Sequence, residues 1–164
     1  ACKSLEEVTA IAQSFADNMA SLAVAASGAT NPATGMEIAQ VAAGCMEVGV
    51  GLHGEKGNAK PLQTAEATVT LMLDALLEDL NVLPEEKLLV LVSGSGATTL
   101  MEQLIIFRNC YAYLAEKNIE IVASHVGELM TVQEMAGFEI CIARMNEELL
   151  KYWNAPCYTP YFKK

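Results

Sequence analysis

Long apolar runs, paired cysteines and basic residues are all scarce in this chain, and each scarcity narrows what it can be. The longest uninterrupted aliphatic stretch is the five residues 88–92, far short of the roughly 20 that a membrane-spanning helix needs. No membrane partner is expected. Lysine and arginine number ten against twenty acidic residues, for a formal net charge of −10. Cations spread so thinly argue against nucleic acid or an anionic membrane surface as a partner. The five cysteines, Cys2, Cys45, Cys110, Cys141 and Cys157, are odd in number and contain no C-x-x-C pair. Each sits among apolar neighbours, so they read as reduced packing residues of a cytoplasmic protein, not as a disulfide frame or zinc cage. Internal repeats and low-complexity tracts are absent. The first residue is Ala with no charged-then-apolar leader before it. No secretion signal is therefore expected, and the start is expected to lie inside a longer chain.

What is present suits one domain over residues 1–164. Hydrophobic residues make up 52% and are well mixed with polar ones, enough to bury a core unaided. Ser4 and Glu7 form a capping box, and Leu5, Val8, Ile11, Ala12, Phe15 and Met19 then repeat at helical spacing to about Ala20. A short strand is expected over residues 22–26, followed by a mostly irregular stretch over 28–44, rich in Gly, Ala, Thr and Pro. Val69, Met72, Leu73, Leu76, Leu77 and Leu80 predict a helix of about four turns over residues 65–80, broken at Leu83-Pro84-Glu85-Glu86. Residues 88–92 read as a strand buried on both faces. A helix over 99–117, a strand over 119–123, a short helical piece over 128–135 and a last strand over 138–145 complete the order. The fold class is α/β: a mixed, partly parallel sheet with the large helices mainly on one face, in two layers.

The most informative stretch is Met46-Glu47-Val48-Gly49-Val50-Gly51-Leu52-His53-Gly54-Glu55-Lys56-Gly57. Met46, Val48, Val50 and Leu52 alternate as the buried face of a strand over residues 46–52, and Glu47, Gly49, Gly51 and His53 share the other face. Two glycines in a strand interior contribute no packing, so they mark a bulge or a close approach to the backbone beside His53. The alternative is a surface turn with a partly exposed histidine.

Other constellations carry less. Ser93-Gly94-Ser95-Gly96-Ala97-Thr98 joins a strand to a helix and reads either as an anion cradle of backbone N–H groups or as a tight turn of small residues. It has neither the third glycine of a dinucleotide fingerprint nor the lysine of a P-loop. His53-Gly54-Glu55 with Pro156-Cys157 begins a zinc-deaminase pattern, but residue 160 is proline where the second cysteine should stand, so no metal is expected. His125, just after a strand, reads as a packed or solvated side chain. The tail residues Tyr152, Trp153, Tyr158, Tyr161 and Phe162 read as an extended strap over the core.

Met46 to Gly57 resembles the histidine-bearing motif of the dihydroxyacetone (glycerone) kinase substrate-binding subunit, an acidic residue followed by a strand ending in G-I-H-G-E-P-G. Ser4-Leu5-Glu6-Glu7-Val8 resembles the start of a helix in that family. Residues 93–102 are similar to its N-G-x-G-A-T-P-L-M-E segment. Met135-Ala136-Gly137-Phe138 and Trp153-Asn154-Ala155-Pro156-Cys157-Tyr158-Thr159-Pro160 resemble its D-M-A-G-F and W-D-A-P-V-H-T-P signatures. The five matches follow the family's order and cover only the second, C-terminal half of its usual length.

The resemblance implies that His53 is the catalytic and substrate-binding residue, forming a reversible hemiaminal with dihydroxyacetone. Near its ordinary pKa of about 6.5 a neutral imidazole is a competent nucleophile. Gly54 keeps the backbone close, and Glu55 either orients the ring or its loop through a hydrogen bond or is a solvated surface acid. No cofactor is expected in this chain. The resemblance puts the phosphoryl donor, ATP with Mg or an ADP-bound partner subunit, on another domain or chain. A G-x-G-S-G-H-E-P type substrate loop and a catalytic Asp belong to the family's first half. The implied partners are that first-half domain or chain, a nucleotide-binding kinase domain or subunit, and a second copy in a homodimer. Ser93, Thr99, Cys157-Tyr158 and Gln133-Glu134 depart from the family pattern. That drift suits the alternative of a dihydroxyacetone-sensing co-regulator that does not phosphorylate, or a structural module with a vestigial histidine.

Overall fold

Ser4 starts the first helix through the reciprocal bonds of a capping box. Its hydroxyl accepts the Glu7 N–H at 3.2 Å and its own N–H donates to the Glu7 carboxylate at 2.7 Å. Helix α1 (Leu5–Ala16) ends at Asp17, so the expected run to about Ala20 is too long. Met19, on the helical stripe by spacing, instead opens strand β1 (Met19–Ala25). Seven consecutive residues of β1 find partners on one later strand, and that ladder wins over one further helical turn. A computed structural model describes residues 3–51 and 55–164 of the chain.

The stretch over residues 28–44 is irregular as expected, apart from a small pair, β2 (Ala29–Thr30) and β3 (Glu37–Ile38). Strands β4 (Cys45–Val48) and β5 (Asn58–Pro61) follow. Helix α2 (Ala65–Leu80) has the expected bounds and is capped by the Thr64 hydroxyl. Strand β6 (Lys87–Gly94), helix α3 (Leu100–Glu116) and strand β7 (Glu120–Gly127) form a β-α-β unit with β6 and β7 parallel. Strand β8 (Gly137–Arg144) and helix α4 (Glu147–Trp153) complete the order.

Two expectations fail near the end of the chain. Residues 128–135 form no helix, because the Ser93 hydroxyl accepts the N–H groups of Leu129 and Met130, both at 3.1 Å, and Ser95 O accepts the Val132 N–H at 2.7 Å. Those partners lie outside any helical pattern. Tyr152 and Trp153 belong to α4, started by the Asn146 cap, not to an extended strap. Beyond them the tail folds back on itself, with Cys157 and Lys164 exchanging backbone bonds. It touches β7 through Phe162, whose ring meets His125 edge-on at 5.2 Å, and the residue just past β7 through Tyr161, whose hydroxyl donates to Glu128 O.

The main sheet runs β5-β4-β1-β8-β6-β7, antiparallel except at β6–β7. One face carries Val24, Met46, Val48, Leu88, Val90, Val92, Ile140 and Ile142 against both long helices, α2 and α3. Apolar side chains buried there drive folding at roughly 25 cal/mol per Å² removed from water. Arg144 ties the sheet to the end of α2, donating to Leu80 O, Asn81 O and the Glu86 carboxylate. The opposite face is covered by helices at one end only. There the shorter helices α1 and α4 place Phe15, Leu149, Leu150 and Trp153 against Leu89, Ala143 and Met145. Among the described residues no helix is long and apolar enough to cross a membrane.

The cysteines divide by position. Cys110 is buried within the long-helix layer, and burial pushes its thiol up to about 12. Cys141 rises to about 11 through burial and the nearby Glu139 charge. Cys157 is exposed, unlike the packing role expected of it, because it lies in the folded-back tail. The thiolate is the reacting form. An alkylating reagent at pH 8 should therefore modify Cys157 at least tenfold faster than Cys110, read by peptide mass spectrometry.

Candidate functional site

Strands β4 and β5 pair antiparallel from Cys45↔Pro61 to Val48↔Asn58, so residues 49–51 and 55–57 are the described ends of the connection between them. The expected strand over residues 46–52 is therefore too long. It stops where Gly49 takes φ +87° and donates its N–H to Ala23 O at 2.8 Å. That left-handed turn, cheap only for glycine, ends the alternation. Val50 leaves the Met46 and Val48 face and packs instead with Ala25, Ala29, Val41, Val132 and Met135 on the other side of the sheet.

Two bonds shape the loop. The Gly51 N–H donates to Glu55 O at 3.0 Å, and the Gly57 N–H donates to a Glu47 carboxylate oxygen at 3.1 Å. A side chain at Gly57 would meet the O, C and N atoms of Val48 at 2.7–3.0 Å. Gly57, the last glycine of the motif, is thus needed for a close backbone approach. His53 and Gly54, with Leu52, lie outside the described residues. Glu55, the remaining site residue expected from the sequence, closes the loop through its carbonyl oxygen.

Both neighbours of that tripeptide, Gly51 and Glu55, line a cavity of about 410 Å³. This lies within the range of roughly 300–1,000 Å³ typical of small-molecule sites. Its floor is the sheet face opposite α2 and α3. Ala23 pairs directly with Glu139 of β8, and Ala25 with Glu47 of β4, so the two carboxylates rise from one side of the sheet with only alanines between them on β1. Residues 38–41 enclose the cavity from one side, Met130, Val132 and Met135 from another, and Ser95 and Lys56 add polar groups.

Sequence reasoning singled out Glu47 as the partner face of the strand but missed Glu139. The signal available was a lone acid between Phe138 and Ile140 in a strand otherwise apolar up to Arg144.

The loop over residues 93–98 is drawn in as a tight turn, with two of its N–H groups already engaged. Its Ser95 and Ala97 N–H groups donate to Gly137 O and Met135 O, both at 3.0 Å. The helix start behind it is already occupied by the Glu102 carboxylate, which accepts the Thr99 N–H at 2.8 Å and is held below the usual carboxylate range by its bonds to Thr99. A second groove of about 320 Å³ lies between the starts of α2 and α3. It is apolar, and its one acid is the same Glu102.

Comparison with known proteins identifies the family. The family model described as the Dak1 domain matches residues 1–161. The dihydroxyacetone-binding subunit DhaK of a PTS-dependent dihydroxyacetone kinase from Listeria innocua is 35% identical over 160 residues, 97% of this chain and 48% of that protein. An L-erythrulose kinase from Pectobacterium atrosepticum is 32% identical over 165 residues, 98% of this chain and 28% of that protein. The solved structure of a dihydroxyacetone kinase operon co-activator, Dha-DhaQ, superposes with a TM-score of 0.87 at 24% identity, covering 94% of this chain and 48% of that one. At that identity the likeness shows the fold alone. The chain thus spans about half the length of the first relative and under a third of the second. With a family model running almost end to end and a relative at 35% identity, the chain belongs to the Dak1 domain family.

Proposed function

We propose that residues 1–164 are the C-terminal half of a dihydroxyacetone kinase-type substrate subunit, and that His53 captures dihydroxyacetone as a hemiaminal. The observation that carries this reading is the closed hairpin loop: the residues flanking the histidine tripeptide, Gly51 and Glu55, both line the 410 Å³ cavity. In the capture step a ring nitrogen attacks the carbonyl carbon and a C–N bond forms. The carbonyl oxygen gains a proton while the imidazole gives one up, so the adduct is neutral and reversible. A covalent anchor suits a small polar ketone, which offers too little apolar surface to be held by burial alone.

The name of the Listeria relative, a dihydroxyacetone-binding subunit, supports the substrate. The phosphoryl donor, ATP with Mg or an ADP-bound subunit, would come from a separate nucleotide-binding component, and the remaining half of the site from a first-half domain or chain. We assign the assembly to the cytoplasm as a homodimer.

The test is a His53→Ala substitution in the intact protein. Incubation with dihydroxyacetone followed by native mass spectrometry should show one added ketone per chain before substitution and none after it. An undiminished adduct in the variant removes the reading.

A further inference from the structure

We propose that the outward face of α3, with the groove beside it, is the surface on which two copies of this chain join, their α3 helices antiparallel about a two-fold axis near Leu104 and Ile105. This rests on the homodimer assigned above and names its interface; it does not depend on the His53 anchor. Helix α3 carries two apolar stripes. Ile106, Cys110 and Leu114 face the sheet and are buried. Met101, Leu104, Ile105 and Tyr111 form the second stripe and are exposed, Met101 by 73% and Leu104 by 50%. Their spacing of three, four and seven residues is that of a helix-packing seam. A helix apolar on both sides belongs in an interior, and a contiguous exposed patch of this kind marks an interface.

The patch continues sideways. Ile105 also lines the apolar groove of about 320 Å³ between the starts of α2 and α3, and so does Leu62, itself 57% exposed. Charge says what fits there. The chain has twenty acidic residues, yet between Leu100 and Ala115 there is one acid, Glu102, and one base, Arg108, both exposed. A surface with one charge of each sign, six residues apart on one helix, complements itself when a second copy is turned end to end. A two-fold axis makes the same patch meet itself in this way. With the axis near residues 104 and 105 and helices about 8–10 Å apart, Arg108 of each copy lies over the first turn of the other helix, within side-chain reach of its Glu102. Two such pairs then flank an apolar centre, the anatomy of a specific interface. The Thr99 N–H and hydroxyl both donate to Oε2 of Glu102, so the guanidinium can be taken at Oε1 while the helix stays capped.

Sedimentation of the intact protein over a range of concentrations should show a dimer. Met101→Glu combined with Leu104→Glu, both at exposed positions, should weaken it at least a hundredfold with an unchanged circular dichroism spectrum. Arg108→Glu should weaken it about tenfold, and adding Glu102→Arg should restore it. In a Cys157→Ser background, Leu104→Cys should link two chains through a disulfide, whereas Glu116→Cys, which an antiparallel pair carries far from its copy, should not. A monomer at every concentration overturns both the proposal and the assigned homodimer. A dimer untouched by the double substitution overturns the surface and leaves the homodimer standing. No recovery on exchanging the two charges, or equal cross-linking at 104 and 116, overturns the antiparallel arrangement. Release of a first-half component in place of the second copy gives the face to that component and overturns the proposal.

Discussion

Gly57→Ala is expected to destabilise the protein by about 2–3 kcal/mol and to abolish ketone capture at position 53. The added methyl has nowhere to go. It would lie 2.7 Å from Val48 O, 2.9 Å from Val48 C and 3.0 Å from Val48 N, all backbone atoms fixed by the β4–β5 ladder that ends at Val48↔Asn58. A side-chain neighbour could rotate aside, but backbone cannot move without breaking that last pair. The shift would also pull the Gly57 N–H away from Glu47, one of the two bonds that shape the loop. Gly44→Ala is the control. Gly44 has φ +73° with open space around its missing side chain, so substitution there adds backbone strain of about 1 kcal/mol and should leave capture unchanged. Thermal unfolding and adduct mass spectrometry separate the two effects. Equal adduct levels in Gly57→Ala and the unsubstituted protein would show that the loop does not depend on this contact.

Elements with a local cause were legible from the sequence. The apolar stripe of α2 and its Thr64 cap define that helix at both ends, and the aliphatic run of β6, buried on both faces, reads correctly as an inner strand. Where the structure departs from expectation, a long-range partner decides. Met19 fits a helical stripe but pairs with Ala143. Residues 128–135 have helix-forming composition but bond to Ser93 and Ser95, more than thirty residues away. The site divides in the same way. The glycine-flanked loop around His53 announces itself through unusual residue types at short spacing. Glu139 does not, because only the β1–β8 register brings it beside Glu47 from more than ninety positions away.

Given dihydroxyacetone and ATP, residues 1–164 alone should produce no dihydroxyacetone phosphate, and turnover should appear when the first-half component and the nucleotide-bearing component are supplied. Phosphoryl transfer requires the donor, the acceptor hydroxyl and a base in line, with cations or aligned N–H groups on the phosphoryl oxygens. Among its described lining residues the cavity offers the reverse electrostatics, Glu47, Glu55 and Glu139 against Lys56. At the helix start best placed by sequence to hold a phosphate, the Thr99 N–H already donates to the Glu102 carboxylate, and two N–H groups of the preceding turn are engaged with residues 135 and 137. On the proposed reading, the described residues contribute a floor and the flanks of the anchor loop, and the reacting hydroxyl is expected to meet its base and its donor on another surface. A coupled assay of ketose phosphate formation, run with and without the other components, reads the difference. Robust turnover by this chain alone, unchanged by their addition, would sink the kinase-component reading. Adduct formation without turnover in the complete mixture would instead identify a ketone sensor, since capture needs only the histidine loop while transfer needs every component aligned.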